Sequence, residues 1–239
     1  MATVSHGTEQ GGRTRVLVID DHPIVREGLV QIICREPDLT VCAQASNAAE
    51  ALHALRASCP DVVILDLTLN GSSGLGLLKD IRARWANLPV LVLSMHNEML
   101  YAERVLRAGA QGYIMKQEGP EELVTAIRRV LAGRVYLSEA MTHRLLQHIA
   151  RGDSSDGQSP LDRLTDREFE VFEMIGQGLG TRAIAERLHL SVKTIESHRE
   201  STKAKLGLEN GHELTLCAIR WAHDETMNAP RRERGGAET

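Results

Sequence analysis

From residue 15 to residue 132, short runs rich in Val, Ile and Leu alternate with amphipathic stretches long enough for helices, five of each. Strands that are apolar on both faces need cover on both faces, and a parallel sheet connected through helices supplies it. Strands are expected at 16–20, 40–45, 62–66, 90–94 and 112–115, and helices at 23–34, 48–57, 74–84, 100–108 and 120–132. The first, third and fourth strands are almost wholly apolar and therefore central. Pro23 and Pro120 fall in first turns, where the missing N–H costs little. Chain order and element lengths predict an α/β domain built on a doubly wound, five-stranded parallel sheet of the flavodoxin type.

The rest of the chain reads differently. Ser138 can cap a helix running to about residue 150, with Met141, Leu145, Leu146 and Ile149 on one face. Residues 151–160, rich in Gly, Ser and Asp, lack apolar periodicity and read as a flexible tether. Beyond them the pattern is all helical. Thr165 and Glu168 have the spacing of a capping box, with Leu164 and Phe169 placed as its hydrophobic staple. Further helices are expected at 181–188, 192–206 and 212–222. With 239 residues there is material for two cores. The expected division is a disordered leader (1–14), the α/β domain (15–132), a linker with one helix (133–161), an all-α domain (162–223) and a disordered tail (224–239).

No apolar run approaches the roughly 20 residues that span a bilayer, and the polar, Gly-rich start has no apolar segment of a targeting signal. The expectation is a cytoplasmic protein with no membrane contact. Four cysteines without CxxC spacing read as reduced structural thiols rather than a zinc or redox site. A net charge of -4 offers no general attraction to nucleic acid, so a DNA-binding role has to rest on local arrangement.

In a doubly wound sheet, ligands bind at the carboxyl ends of the strands. Strand one ends in Asp20 and Asp21, strand three in Asp66 and strand four in Ser94, while Lys116 follows strand five. Converging carboxylates repel one another, and a hard divalent cation such as Mg²⁺ removes that cost. Asp66, alone on the middle strand, is the candidate nucleophile. Lys116 is placed to balance an incoming phosphoryl group and Ser94 to hydrogen-bond its oxygens. Singly, each acid is as well explained as a turn former and Lys116 as a surface charge. Their arrival on one edge of the sheet favours the chemical reading.

The segments Asp20-Asp21-His22-Pro23, Leu65-Asp66-Leu67, Leu93-Ser94 and Gly112-Tyr113-Ile114-Met115-Lys116 resemble the receiver domain of NarL/FixJ-type response regulators. The resemblance implies phosphoryl transfer from a partner sensor histidine kinase to Asp66. It also implies Mg²⁺ held by Asp21, Asp66 and the backbone carbonyl of Thr68, with Asp20 assisting, and a switch in which Ser94 and Tyr113 move together.

In the second half, residues 184–195 have the apolar spacing of two helices crossing at a short turn, with small Ala185 allowing close approach and Ser191 capping the second helix. The second helix of such a motif enters the major groove. Lys193, Arg199, Lys203 and Lys205 are its available cations, although Glu196 and Glu200 lie at spacings that pair with them on a solvated face. From Leu164-Thr165-Asp166-Arg167-Glu168 to Leu206-Gly207-Leu208 the chain resembles the LuxR-type helix-turn-helix. That implies binding of double-stranded DNA, with Thr194, Glu196, Ser197 and Glu200 on the groove side beside the cations. It also implies a homodimer when phosphorylated or DNA-bound, supported by a last helix with Leu214, Cys217, Ala218 and Trp221 on one face. Three positions depart from the family pattern: Gly180 in place of a Ser cap, Ser201-Thr202 in place of Asn-Ile, and acidic Glu200 where a base is frequent.

Two other function classes compete with a transcription regulator. Phosphatases of the haloacid dehalogenase type carry a second Asp two residues after the nucleophile, and here that position is Thr68, so the chain is not expected to be a turnover enzyme. A receiver-like interaction module without signalling would not need Asp20, Asp21, Asp66, Ser94 and Lys116 together.

Overall fold

The computed structural model describes residues 12–69, 72–150, 160–188 and 190–228. Most of the expected leader, nearly all of the 151–160 tether and residues 229–239 of the expected tail lie outside them. The α/β half contains β1 (Thr14–Ile19), α1 (Pro23–Cys34), β2 (Leu39–Ala45), α2 (Ala48–Ser58), β3 (Val62–Leu65), β4 (Thr68–Leu69), β5 (Ser72–Ser73), α3 (Gly74–Arg84), β6 (Val90–Ser94), α4 (Glu98–Arg107), β7 (Gly112–Met115) and α5 (Pro120–Leu131). The large sheet is parallel, in the order β2-β1-β3-β6-β7.

Alternation along the strands divides the core between the two faces of the sheet. Val16, Val18, Ile64, Leu91 and Leu93 pack in one buried cluster with Leu29 and Ile33 of α1 and Leu123 and Ile127 of α5. Leu17, Ile19, Val63, Leu65, Val90 and Val92 pack in the other, with side chains of α2, α3 and α4. β1, β3 and β6 are the three interior strands, as their apolar sequences require.

Two local features differ from the expectation. Thr68–Leu69 and Ser72–Ser73 pair as a two-stranded antiparallel ribbon, too short to leave a periodic pattern. α4 starts at Glu98, earlier than residue 100, because Asn97 Oδ1 accepts from the Met99 N–H at 3.0 Å and caps it. Gly74 is required at the start of α3: a Cβ there would lie 2.4 Å from the Asp66 carbonyl oxygen.

After α5 the chain returns along β7. Tyr113 N donates to Tyr136 O at 2.9 Å and Tyr136 N to Gln111 O at 3.0 Å. α6 (Glu139–Ala150) then packs on α4: the buried Glu98 carboxylate accepts from Ser138 N at 2.8 Å, and Arg144 donates to Met99 O at 3.0 Å.

The C-terminal half is a short 3₁₀ turn (Pro160–Arg163) and four helices: α7 (Asp166–Gly176), α8 (Thr181–Arg187), α9 (Val192–Leu206) and α10 (Gly211–Asn228). The capping box at Thr165 and Glu168 is present, and both staple residues, Leu164 and Phe169, are buried. Ser191 caps α9 by accepting from Thr194 N at 3.1 Å. α10 continues past the expected end at residue 222 into the stretch expected to be disordered.

The proposed dimer face of α10 needs a correction. Leu214 and Ala218 are fully buried inside the domain, and Trp221 meets Phe169 and Phe172 with ring centroids 5.5 and 5.4 Å away. α7 and α10 approach so closely that a Cβ on Gly176 would lie 2.6 Å from Ala218 O. Among the described residues, the exposed large apolar side chains of α10 are Leu216 and Ile219, on its other side.

Candidate functional site

The carboxyl edge of the sheet carries the predicted acids. Parallel pairing continues one residue beyond each strand, with Asp66 N donating to Ile19 O (2.9 Å), Asp20 N to Ala45 O (3.1 Å) and Lys116 N to Ser94 O (2.8 Å). Rigid backbone therefore delivers Asp20, Asp66, Ser94 and Lys116 to one cleft. Lys116 Nζ lies 2.6 Å from Asp66 Oδ2 and 2.7 Å from Asp20 Oδ2. Asp20, Asp66 and Ser94 are buried. Burial pushes the Asp66 carboxyl up, and Lys116 offsets this only in part. For Lys116, burial works against the ammonium, but Asp66 and Asp20 outweigh it and raise its pKa.

Ligand atoms of Asp20, Asp21, Asp66 and His22 all lie within 4.8 Å of one another. Sequence reasoning left His22 out of that set. Its backbone N–H donates to Asp20 Oδ1 at 2.8 Å and its ring Nδ1 lies 2.7 Å from Asp21 Oδ1. Asp21 Oδ1 is shielded from solvent, and among the described residues its near neighbour is the His22 ring. Three converging carboxylates, shielded from solvent, fit a hard, oxygen-seeking divalent ion.

Thr68 N donates to Asp66 Oδ1 at 3.2 Å, which sets the residue two places after the acid at the lip of the cleft. Tyr113 is fully buried, its Oη donates to His96 O at 2.7 Å, and burial raises its pKa. Ser94 Oγ accepts from His96 N at 3.2 Å.

His96 was not anticipated. Its Nε2 lies 3.0 Å from Thr68 Oγ1, its Nδ1 lies 2.6 Å from Glu173 Oε1 of α7, and its ring stacks on Tyr101 with centroids 4.6 Å apart. Burial lowers the imidazole pKa, and the Glu173 carboxylate more than reverses this. Tyr101 Oη donates to the other Glu173 oxygen. Nearby, Lys79 pairs with Asp166, and Arg104 lies 4.2 Å above the Phe169 ring while donating to Leu164 O at 3.0 Å. These partners are distant in the chain, so no spacing rule finds them.

On α9, Lys193, Glu196, Ser197 and Glu200 are exposed and Thr194 and Arg199 half-buried, so the expected groove face is open to solvent. Lys203 Nζ pairs with Glu200 at 2.8 Å, whereas among the described residues no cation pairs with Glu196. Lys205 Nζ lies 2.6 Å from Oε2 of buried Glu168, which also accepts from Ser201 Oγ at 2.5 Å on its other oxygen. Lys205 is thereby engaged in tying α9 to α7.

A buried acid cleft at the carboxyl edge of a doubly wound sheet, joined to a helix-turn-helix domain, is the build of a response regulator. Residues 16–128 match the response regulator receiver domain and residues 162–218 the bacterial regulatory proteins of the luxR family. The chain belongs to the NarL/FixJ-type response regulators. It is 34% identical over 210 residues to the oxygen regulatory protein NreC of Staphylococcus carnosus, covering 86% of this chain and 97% of that one. It is 33% identical over 212 residues to the nitrate/nitrite response regulator NarL of Escherichia coli K12, covering 89% and 96%. Among solved structures it resembles RcsB of Salmonella enterica serovar Typhimurium bound to promoter rprA in the presence of the phosphomimetic BeF₃⁻, at a TM-score of 0.61 and 27% identity over 87% of this chain and 99% of that one. No described helix is long and apolar enough to cross a membrane.

Proposed function

We propose that Asp66 accepts a phosphoryl group from the phosphohistidine of a sensor histidine kinase and that this changes how the C-terminal helices engage promoter DNA. The observation that carries the reading is Lys116, whose ammonium bridges Asp66 and Asp20 inside a buried cleft. A carboxylate oxygen of Asp66 attacks phosphorus while the P–N bond to the donor imidazole breaks and the bonding electrons return to that nitrogen. Lys116 is freed from Asp66 to pair with the phosphoryl oxygens, and the Ser94 hydroxyl turns to donate to one of them. Asp21, Asp66 and the Thr68 carbonyl, with Asp20 assisting, would hold a Mg²⁺ ion, which would supply the remaining positive charge. Tyr113, already bonded to the His96 carbonyl, follows the Ser94 loop.

Thr68 offers no carboxylate for acid–base work, so the acyl phosphate is a stored signal rather than a turnover intermediate. On the DNA side, Lys193, Thr194, Glu196, Ser197, Arg199 and Glu200 form the groove face and Lys203 reaches a phosphate on release from Glu200, whereas Lys205 serves the fold. The RcsB relative bound to a promoter supports DNA as the partner, and the structure of two RcsB dimers bound to two parallel DNAs supports two copies of this chain as the binding unit.

Incubation of wild type and Asp66→Asn with phosphoramidate and Mg²⁺ tests the acceptor. Intact-mass measurement should find one phosphoryl group on the wild type and none on the variant, and equal labelling of both overturns the assignment.

A further inference from the structure

The acid cleft is closed by a side chain that the DNA-binding half holds in place. Asp66 is 2% exposed, so a phosphodonor reaches it only if the lip of the cleft opens. Among the described residues, Thr68, following β3, and His96, in the loop between β6 and α4, stand at that lip and are joined at 3.0 Å. His96 is held from outside the receiver: Glu173 of α7 takes its Nδ1 at 2.6 Å, and Tyr101, on which the ring stacks, donates to the second Glu173 oxygen. Glu173 itself is 12% exposed, with both oxygens engaged by receiver side chains.

The geometry points to Glu173 as a positioning residue for phosphoryl transfer to Asp66, acting through His96 and Thr68 from the other domain. With Glu173 in place the His96 ring is locked against Thr68 and the lip stays shut. Without it, the ring turns away more readily, because the Thr68 hydroxyl and the Tyr101 stack are a weaker hold on an imidazole whose other nitrogen has lost its partner. Phosphorylation is then faster when the DNA-binding half is undocked. The inference rests on Asp66 being the acceptor, and its test separates the two.

The uptake of label from phosphoramidate is followed in the full-length protein at saturating Mg²⁺. Glu173→Ala is expected to raise the rate constant at least threefold. His96→Leu should give a similar rise, and Glu173→Ala should add nothing in the His96→Leu background. Tyr101→Phe, which removes one of the two grips on Glu173, should give a smaller rise. Asp166→Asn, which loosens the interface at Lys79 and not at Glu173, should have less than half the effect of Glu173→Ala. Unchanged or slower uptake by Glu173→Ala overturns the inference, as does an undiminished effect in the His96→Leu background or an equal effect from Asp166→Asn. Should Glu173→Ala unfold, Glu173→Gln keeps the size of the side chain and must still speed uptake. Labelling of Asp66→Asn would instead remove the acceptor assignment and leave the domain contact standing.

Discussion

Thr202 is fully buried in α9, and among the described residues its Oγ1 has no hydrogen-bond partner. A buried hydroxyl left unpaired costs free energy, and replacing it with a methyl group of similar shape removes that cost. Thr202→Val is expected to stabilise the C-terminal helices by about 1 kcal/mol, read as slower hydrogen exchange of the α7 and α9 amides. Faster exchange would mean that the hydroxyl has a partner. Its neighbour Ser201 has a clear role, because it holds Glu168. Burial on its own would raise the Glu168 carboxyl, but Lys205, Ser201 and Thr165 bring it down to about 2. A carboxyl lowered on folding contributes stability that is complete above its ordinary value near 4.5 and is lost as pH falls toward 2. Glu168→Gln should therefore cost about 2 kcal/mol at neutral pH, and the difference from wild type should shrink across that window; a constant difference at all pH values refutes the anchor. The capping box was legible from Thr165 and Glu168 alone because it spans four residues. The Lys205 and Ser201 contacts were not, because they depend on how α9 crosses α7.

At the scale of elements, periodicity told which side chains share a face and not what that face meets. Leu214, Ala218 and Trp221 do lie on one side of α10, but α7 needs that side to cover Phe169 and Phe172. Among the described residues, the exposed large apolar side chains of α10 are Leu216 and Ile219, on the opposite side. On α9, the two acids separate in role. Glu200 is paired with Lys203, whereas Glu196 stands exposed and is free to accept from cytosine N4 in the major groove. Glu196→Ala is expected to lose about 1–3 kcal/mol of discrimination at one base position. Lys203→Ala should weaken all sequences alike and flatten the salt dependence. Binding to a set of single-base operator variants at several salt concentrations reads both, and uniformly tighter binding by Glu196→Ala would sink the cytosine reading.

In the whole molecule the two halves are packed together through α4 and α7, with Tyr101 and Phe169 edge to face at 5.2 Å and Arg104 above the same ring. The docked receiver leaves Lys193, Glu196 and Ser197 exposed, so it does not cover these positions of the recognition helix. A fragment starting at Leu161 is accordingly expected to bind a single half-site within about twofold of the unphosphorylated full chain, and to gain only on paired half-sites, where two copies must align. Fluorescence anisotropy with half-site and full-site duplexes distinguishes these, and a large gain on the half-site would mean that the body of the receiver blocks the duplex.

The sheet, its acid edge and the helix-turn-helix followed from sequence because each rests on local rules. These are almost wholly apolar strands covered on both faces, polar residues at strand ends and caps three residues from their partners. The ribbon at Thr68–Ser73 and the early start of α4 escaped because a few residues carry too little pattern. The His96–Glu173 contact, the inward turn of Trp221 and the engagement of Lys205 were decided by tertiary structure alone. Each joins side chains far apart in the chain, and which of them meet depends on the packing of helices, whose sequences specify an apolar face but not its partner.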